Sequence, residues 1–204
     1  YNLETGNKIK NEAREKANLV PVLVFNSGKI IDYAKKASTG TGGEILKDLQ
    51  GGFAGLNWTS DKATNFNLLG HQLAVQNAQL AQNPGINGTN AGQELAGKMA
   101  GTTAWDENSI IQATRTNRAL GEIASLFNQG VRKLTPEKTI NFQNKWNDLL
   151  KVDTIRLYDG VKNKESDPNA FKEVVKELGG SKSERFINAA KHLDKINELI
   201  SKGE

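Results

Sequence analysis

The residues with the strongest chemical promise lie near the start of the chain, in Val24-Phe25-Asn26-Ser27-Gly28-Lys29-Ile30. An apolar run ending in Gly-Lys mimics the close of a phosphate-binding loop, whose backbone N–H groups cradle phosphates and whose lysine reaches them. That loop also needs a glycine five residues before Gly28 and a Ser or Thr after the lysine. The chain has Leu23 and Ile30 there, so the segment reads as an ordinary turn. Gly40-Thr41-Gly42-Gly43-Glu44 could turn N–H groups toward an anion at a helix start. With no clear strand before it, it reads as a flexible connector.

Other chemistry is excluded more simply. There is no cysteine, which removes disulfides, thiolate zinc sites, iron–sulfur clusters and a thiol nucleophile together. The only histidines are His71 and His192, far apart on helical segments, with His192 flanked by charge and expected at the surface. Ser-His-Asp catalysis lacks a Gly-x-Ser-x-Gly elbow. Glycoside hydrolysis needs two acids across a cleft, one of them in apolar surroundings. Glu44, Glu94 and Glu122 stand nearest to apolar positions, yet each fits a helix edge, and no pattern supports lytic activity on peptidoglycan. Asn57-Trp58-Thr59 and Asn87-Gly88-Thr89 match the glycan acceptor pattern, as chance allows in a chain with 22 Asn. The expectation is a protein that is not an enzyme, with no catalytic, cofactor-binding or metal-binding residue.

The tryptophans carry more meaning. Trp58 and Trp105 stand just before helix starts and Trp146 lies mid-helix, which suits large anchors of helix junctions better than base or sugar stacking platforms. The net charge of +4 is spread evenly, with one or two positive charges in each of residues 1–50, 51–134 and 135–204. Interleaved charges mark solvated helix faces, whereas a duplex binder gathers a basic stripe; this leaves at most nonspecific DNA contact. No apolar run approaches the 18 or so residues of a membrane span. Tyr1 in place of Met is read as numbering that begins inside a longer chain.

The elements that must position these residues are helical. Ser60 and Asp61 cap a helix carrying Phe66, Leu69, Leu73, Val75 and Leu80, which Asn83-Pro84-Gly85 stops. A Gly/Asn-rich loop from Asn83 to Asn90 precedes a short helix from Gln93 to Met99. Asp106 opens a helix with Ile110, Ile111, Leu120, Ile123, Leu126 and Phe127 on its apolar side, interrupted or ended at Gly130. Thr135-Pro136-Glu137 starts the next, bearing Ile140, Phe142, Trp146, Leu149 and Leu150. Asp167-Pro168 opens another, Gly179-Gly180 closes it, and Ser181 to Glu184 fits a capping box before a last amphipathic helix that could pack on a partner chain. In the first 55 residues, Lys8–Asn18 is helical and Leu19–Phe25 reads as a strand or extended bridge because of Pro21. Lys29–Ala37 and Glu44–Gln50 read as short helices. The fold class is all-α, with about seven to nine short and medium helices joined by Gly/Asn/Pro loops. The division expected is an N-terminal segment over 1–55, a helical domain over 56–134 and a C-terminal helical subdomain over 135–204.

One combination resembles a known group. Phe142-Gln143-x-x-Trp146-Asn147, then Val152-Asp153-x-x-Arg156-Leu157-Tyr158, then a short helix from Phe171 to Leu178 is similar to the tail end of internal virion proteins of tailed, short-tailed bacteriophages. Residues 57–180 carry the likeness, including a small-residue-rich helical stretch with Gly/Asn loops. The resemblance implies a non-enzymatic structural component of a phage particle, one ejected with the genome into the host periplasm or cytoplasm, or one lining the portal and tail. Its partners would be other virion proteins and copies of itself, with no cofactor. The chain lacks the long Gln/Ala-rich helices frequent in that group. Within this reading Phe142 and Trp146 anchor one helix, and Asp153 with Arg156 fixes the turn after it. The alternative class is a bacterial secreted or binding module that acts through a protein partner.

Overall fold

The computed structural model describes residues 2–38, 59–100, 105–164 and 168–202. Among them every regular element is a helix: α1 (Asn2–Ala17), α2 (Val20–Ser38), α3 (Lys62–Ala81), α4 (Pro84–Asn87), α5 (Asn90–Ala100), α6 (Glu107–Arg132), α7 (Pro136–Leu149), α8 (Val152–Asn163), α9 (Pro168–Glu177) and α10 (Glu184–Lys202). The fold is all-α, as its helical periodicity requires. Trp58, Glu44, the Gly40–Gly43 connector, the Glu44–Gln50 helix and Asp167 lie outside the described residues.

Helix α6 is the axis. Asp106 and Ser109 start it with a reciprocal box, in which Ser109 N–H donates to Asp106 Oδ1 and Asp106 N–H donates to Ser109 Oγ, both at 2.8 Å. These bonds hold the Asp106 carboxyl below the usual range. The helix runs 26 residues without a break at Gly130. That glycine is needed for packing: a Cβ there would overlap the Phe142 ring. α6 is buried on most of its circumference, and α1, α2, α3, α4, α7, α8 and α10 all lean on it. Small residues such as Ala113, Ala119, Gly121 and Ala124 let these neighbours approach. Where the buried face is polar, it is bonded: Asn117 donates to the Leu73 carbonyl at 2.8 Å and accepts from Asn77 at 2.9 Å.

The main core forms where α7 meets α6 and the short segment after α3. Phe127, Phe142 and Trp146 make a three-ring cluster with centroids 5.3 to 6.0 Å apart. Asn83 ends α3 and caps α4, its Oδ1 accepting from Gly85 N–H at 2.8 Å. α7 then reads the carbonyls of that turn: Gln143 Nε2 donates to Pro84 O at 2.9 Å and Trp146 Nε1 donates to Gly85 O at 2.7 Å. A second cluster gathers Tyr33, Phe66, Leu69, Trp105 and Ile110, with the Trp105 ring directly against Gly70. A third joins Leu157, Val174, Leu178 and Ala189. The main core draws on α1, α2 and α10 as well as α6 and α7, so packing runs across the positions 55/56 and 134/135.

Several local expectations change. Leu19–Phe25 is not extended but the start of α2, and it runs without interruption into the stretch read as a separate helix from Lys29. Pro21 sits in the first helical turn, where a missing N–H costs nothing; the Leu19 carbonyl already accepts from Leu23 N–H. The Asp-x-x-Arg segment is no turn but the first part of α8, which sequence periodicity had not resolved. The last helix is capped by Ser183, whose Oγ accepts from Phe186 N–H at 3.1 Å, in place of a Ser181–Glu184 box. Gly179 and Gly180 do end the helix before it, with φ of 88° and 95°, angles that favour glycine. Val75 faces out of α3, exposed.

Two glycine replacements should separate helix propensity from packing. Gly130→Ala should lower stability by about 1–3 kcal/mol, because the Phe142 ring must shift in a filled core. Gly28→Ala, whose Cβ would meet open space in α2, should raise it by about 0.5–1 kcal/mol. Urea unfolding of both variants followed by circular dichroism checks the opposite signs.

Candidate functional site

Charge is concentrated on the one strip of α6 that the core leaves partly open. It carries Gln112, Arg115, Arg118 and Glu122 at three- and four-residue spacing, so all lie on one face. α8 lays Arg156, Tyr158 and Asp159 against that face, and α9 adds Glu173 and Glu177. Gly160 sets how closely α9 approaches, since its position faces Val174. Between them remains a polar pocket of about 160 Å³.

Several groups in and beside this pocket are paired with one another. Arg118 Nε donates to Glu122 Oε1 at 3.1 Å, and the Tyr158 hydroxyl donates to Glu122 Oε2 at the same distance. Both Glu122 oxygens are therefore engaged, which suits a structural carboxylate and not a general acid. Burial and the Glu122 charge raise the Tyr158 phenol above its ordinary value. Arg156 Nη1 donates to Thr116 Oγ1 at 3.3 Å, and its Nε lies 3.7 Å from Glu177, an ion pair without a hydrogen bond. Asp159 is only 8% exposed and accepts from Asn163 Nδ2 at 2.8 Å. Burial pushes its carboxyl up to about 6, against the opposing pull of Arg115, Arg156 and Arg118.

The expected partnership of Asp153 with Arg156 is not formed. Asp153 instead takes a two-pronged bond from Arg185, at 2.7 and 2.9 Å, which ties the start of α8 to the start of α10. Arg185 also donates to the Glu177 carbonyl at 3.2 Å, so one guanidinium joins three helices. Phe142 and Trp146 come together in the core, and Trp105 stands apart in the second cluster with its indole N–H buried and unpartnered. Gly28-Lys29 lies mid-way along α2, so no loop is there to cradle phosphate. His71 is exposed on α3. His192 is partly exposed, with Nδ1 3.5 Å from Thr154 Oγ1; burial, then Lys151 and Lys195, lowers its pKa. Glu94 is exposed on α5. Among the described residues no three potential metal ligands converge, and no helix is long and apolar enough to cross a membrane.

The chain finds no match among family models, curated proteins or solved structures. The site is therefore read from its own geometry. Its second feature is apolar: Leu19, just before α2, and Val22 and Phe25 within it, at three-residue steps, are 46%, 63% and 66% exposed. Leu19 and Val22 line a groove of about 190 Å³ against α3 with Asn18, Asn26, Gln76 and Gln79 and, among the described residues, no charged side chain, while the Lys29 ammonium lies 4.6 Å from the Phe25 ring centre. Sequence reasoning missed this stripe because Pro21 drew the segment into an extended reading; the three-residue spacing was the available signal. It missed the Asp159 cluster because its members come from three helices that only tertiary packing joins.

Asp159 gives a pH test. An unfolded aspartate titrates near 3.9, so the folded chain holds this proton more tightly. The stability it contributes is complete below that value and is lost as pH rises through about 6. Between pH 4.5 and 7.5 the loss from this group should be about 2 kcal/mol. Asp159→Asn should remove that slope, which urea unfolding of both proteins at the two pH values measures.

Proposed function

We propose that this chain is a non-enzymatic structural protein of a phage particle that works by packing against neighbours. The observation that carries the reading is the exposed Leu19–Val22–Phe25 stripe beside an uncharged, amide-edged groove. Isolated exposed apolar side chains are ordinary, but three at three-residue steps across the start of one helix form a contact surface. The uncharged lining favours a protein surface over a phosphate backbone, which would draw on Lys and Arg. Tyr158–Glu122 and Arg156–Glu177 tie helices together, which supports a role in packing over one in catalysis.

The virion setting rests on the likeness of residues 57–180 to internal virion proteins, and within it the partners are copies of the chain and other particle proteins at the portal or tail. The Phe142-Gln143-x-x-Trp146-Asn147 motif behind that likeness has a job of its own here. Gln143, Trp146 and Asn147 face residues 84–88, Asn147 lying against Gly88, while Phe142 packs on Phe127 and the Gly130 position.

The chain should run as a multimer at micromolar concentration in size-exclusion chromatography with light scattering. Val22→Glu combined with Phe25→Glu should reduce it to single chains while changing stability by only about 0.5 kcal/mol, as exposed positions allow. A wild-type monomer that captures one defined host protein would favour the secreted binding module instead. Mass spectrometry of purified virions from the source, with no copy of the chain found, would end the particle reading.

A further inference from the structure

α6, α7, α8 and α10 line an apolar cavity of about 250 Å³ that touches the electrostatic cluster at Tyr158 and lies apart from the α2 stripe. Its deep wall is made by Ile123, Trp146, Leu150 and Ile196, all buried. An apolar cavity of about 150 Å³ stays dry and accepts a benzene-sized guest, so this one has room for more. The polar atoms of its wall are already satisfied: Trp146 N–H donates to Gly85 O, and the Tyr158 hydroxyl donates to Glu122. Neither competes for a guest.

The mouth is different. Val161, 50% exposed, stands there with Lys162 and Asn197. The Lys162 ammonium lies 5.6 Å from the Tyr158 ring centre, held at the rim, and among the described residues no carboxylate lines the cavity. The site thus offers an apolar interior and one positive charge beside an amide donor, the arrangement that orients an amphiphile with an anionic head. We propose that this cavity binds a medium-chain carboxylate, its tail between Ile123, Trp146 and Ile196 and its head at Lys162 and Asn197. The same chemistry could arrive as a free acid or as the acyl chain of an anionic lipid. A cavity walled by four helices, with a mouth at Val161 and Lys162, fits the free acid.

Methyl spectra of the full chain titrated with sodium octanoate test it. Saturable shifts are expected at Ile123, Leu126, Leu193 and Ile196, with Ile30 and Ile110 of the second cluster unmoved. Octylammonium should bind about tenfold more weakly. Lys162→Glu, a surface change, should weaken octanoate about fivefold while leaving octanol unaffected. The proposal is overturned by the absence of saturable shifts, by equal binding of octylammonium, or by shifts confined to Leu19 and Val22. Shifts raised by phosphatidylglycerol vesicles and not by octanoate would overturn it as well. The multimer measurement on the α2 double variant is independent of every one of these outcomes.

Discussion

A helix of 26 residues that is covered on most of its sides must be met by neighbours that come close without leaving polar groups stranded, and α6 sets this requirement for the whole molecule. Its small residues admit α2 and α3, and Asn117 joins Asn77 and the Leu73 carbonyl where an apolar side chain would leave that carbonyl without this bond. The same logic governs the far end. Gly130 gives way to Phe142, Gly85 gives way to Phe127, and the carbonyls exposed by the turn at Pro84-Gly85 are taken up by Gln143 and Trp146. A buried turn without such partners would cost more than its packing returns.

Because α6 uses most of its surface in the core, its charges are confined to one strip, and that strip decides where α8 and α9 dock. Arg118, Glu122 and Tyr158 close one network there, and Arg156 with Glu177 closes another. Asp159 is the member with the poorest compensation, buried and raised toward neutrality. Tyr158 and Glu122 join α8 to α6, and Arg156 and Glu177 join α8 to α9. Two features lie outside that strip, the α2 stripe on the surface and the cavity beneath Lys162 whose wall is part of the main core.

Much of the helical framework was legible in advance. Asp61, Asp106 and Gly179-Gly180 mark helix ends through capping bonds and backbone angles that act within a few residues, so local chemistry suffices to place them. Pro21 misled because the same ring that breaks a strand is harmless in the first turn of a helix, and nothing local distinguishes the two settings. α8 was missed because its small and charged residues, Asp153, Thr154 and Arg156, give a weak apolar period, and its helix is stabilised from outside by α6, α9 and α10.

The sequence by itself determined that the chain is helical, where most of its helices begin and stop, and that thiol chemistry is absent, because each follows from residue type or from interactions over three or four positions. Tertiary structure alone decided that Asp153 belongs to Arg185 and Arg156 to Glu177, that Asp159 is buried, and which apolar residues remain outside. Those outcomes depend on how rigid helices share one central surface, and contacts between residues 20 or more positions apart leave no periodic trace along the chain.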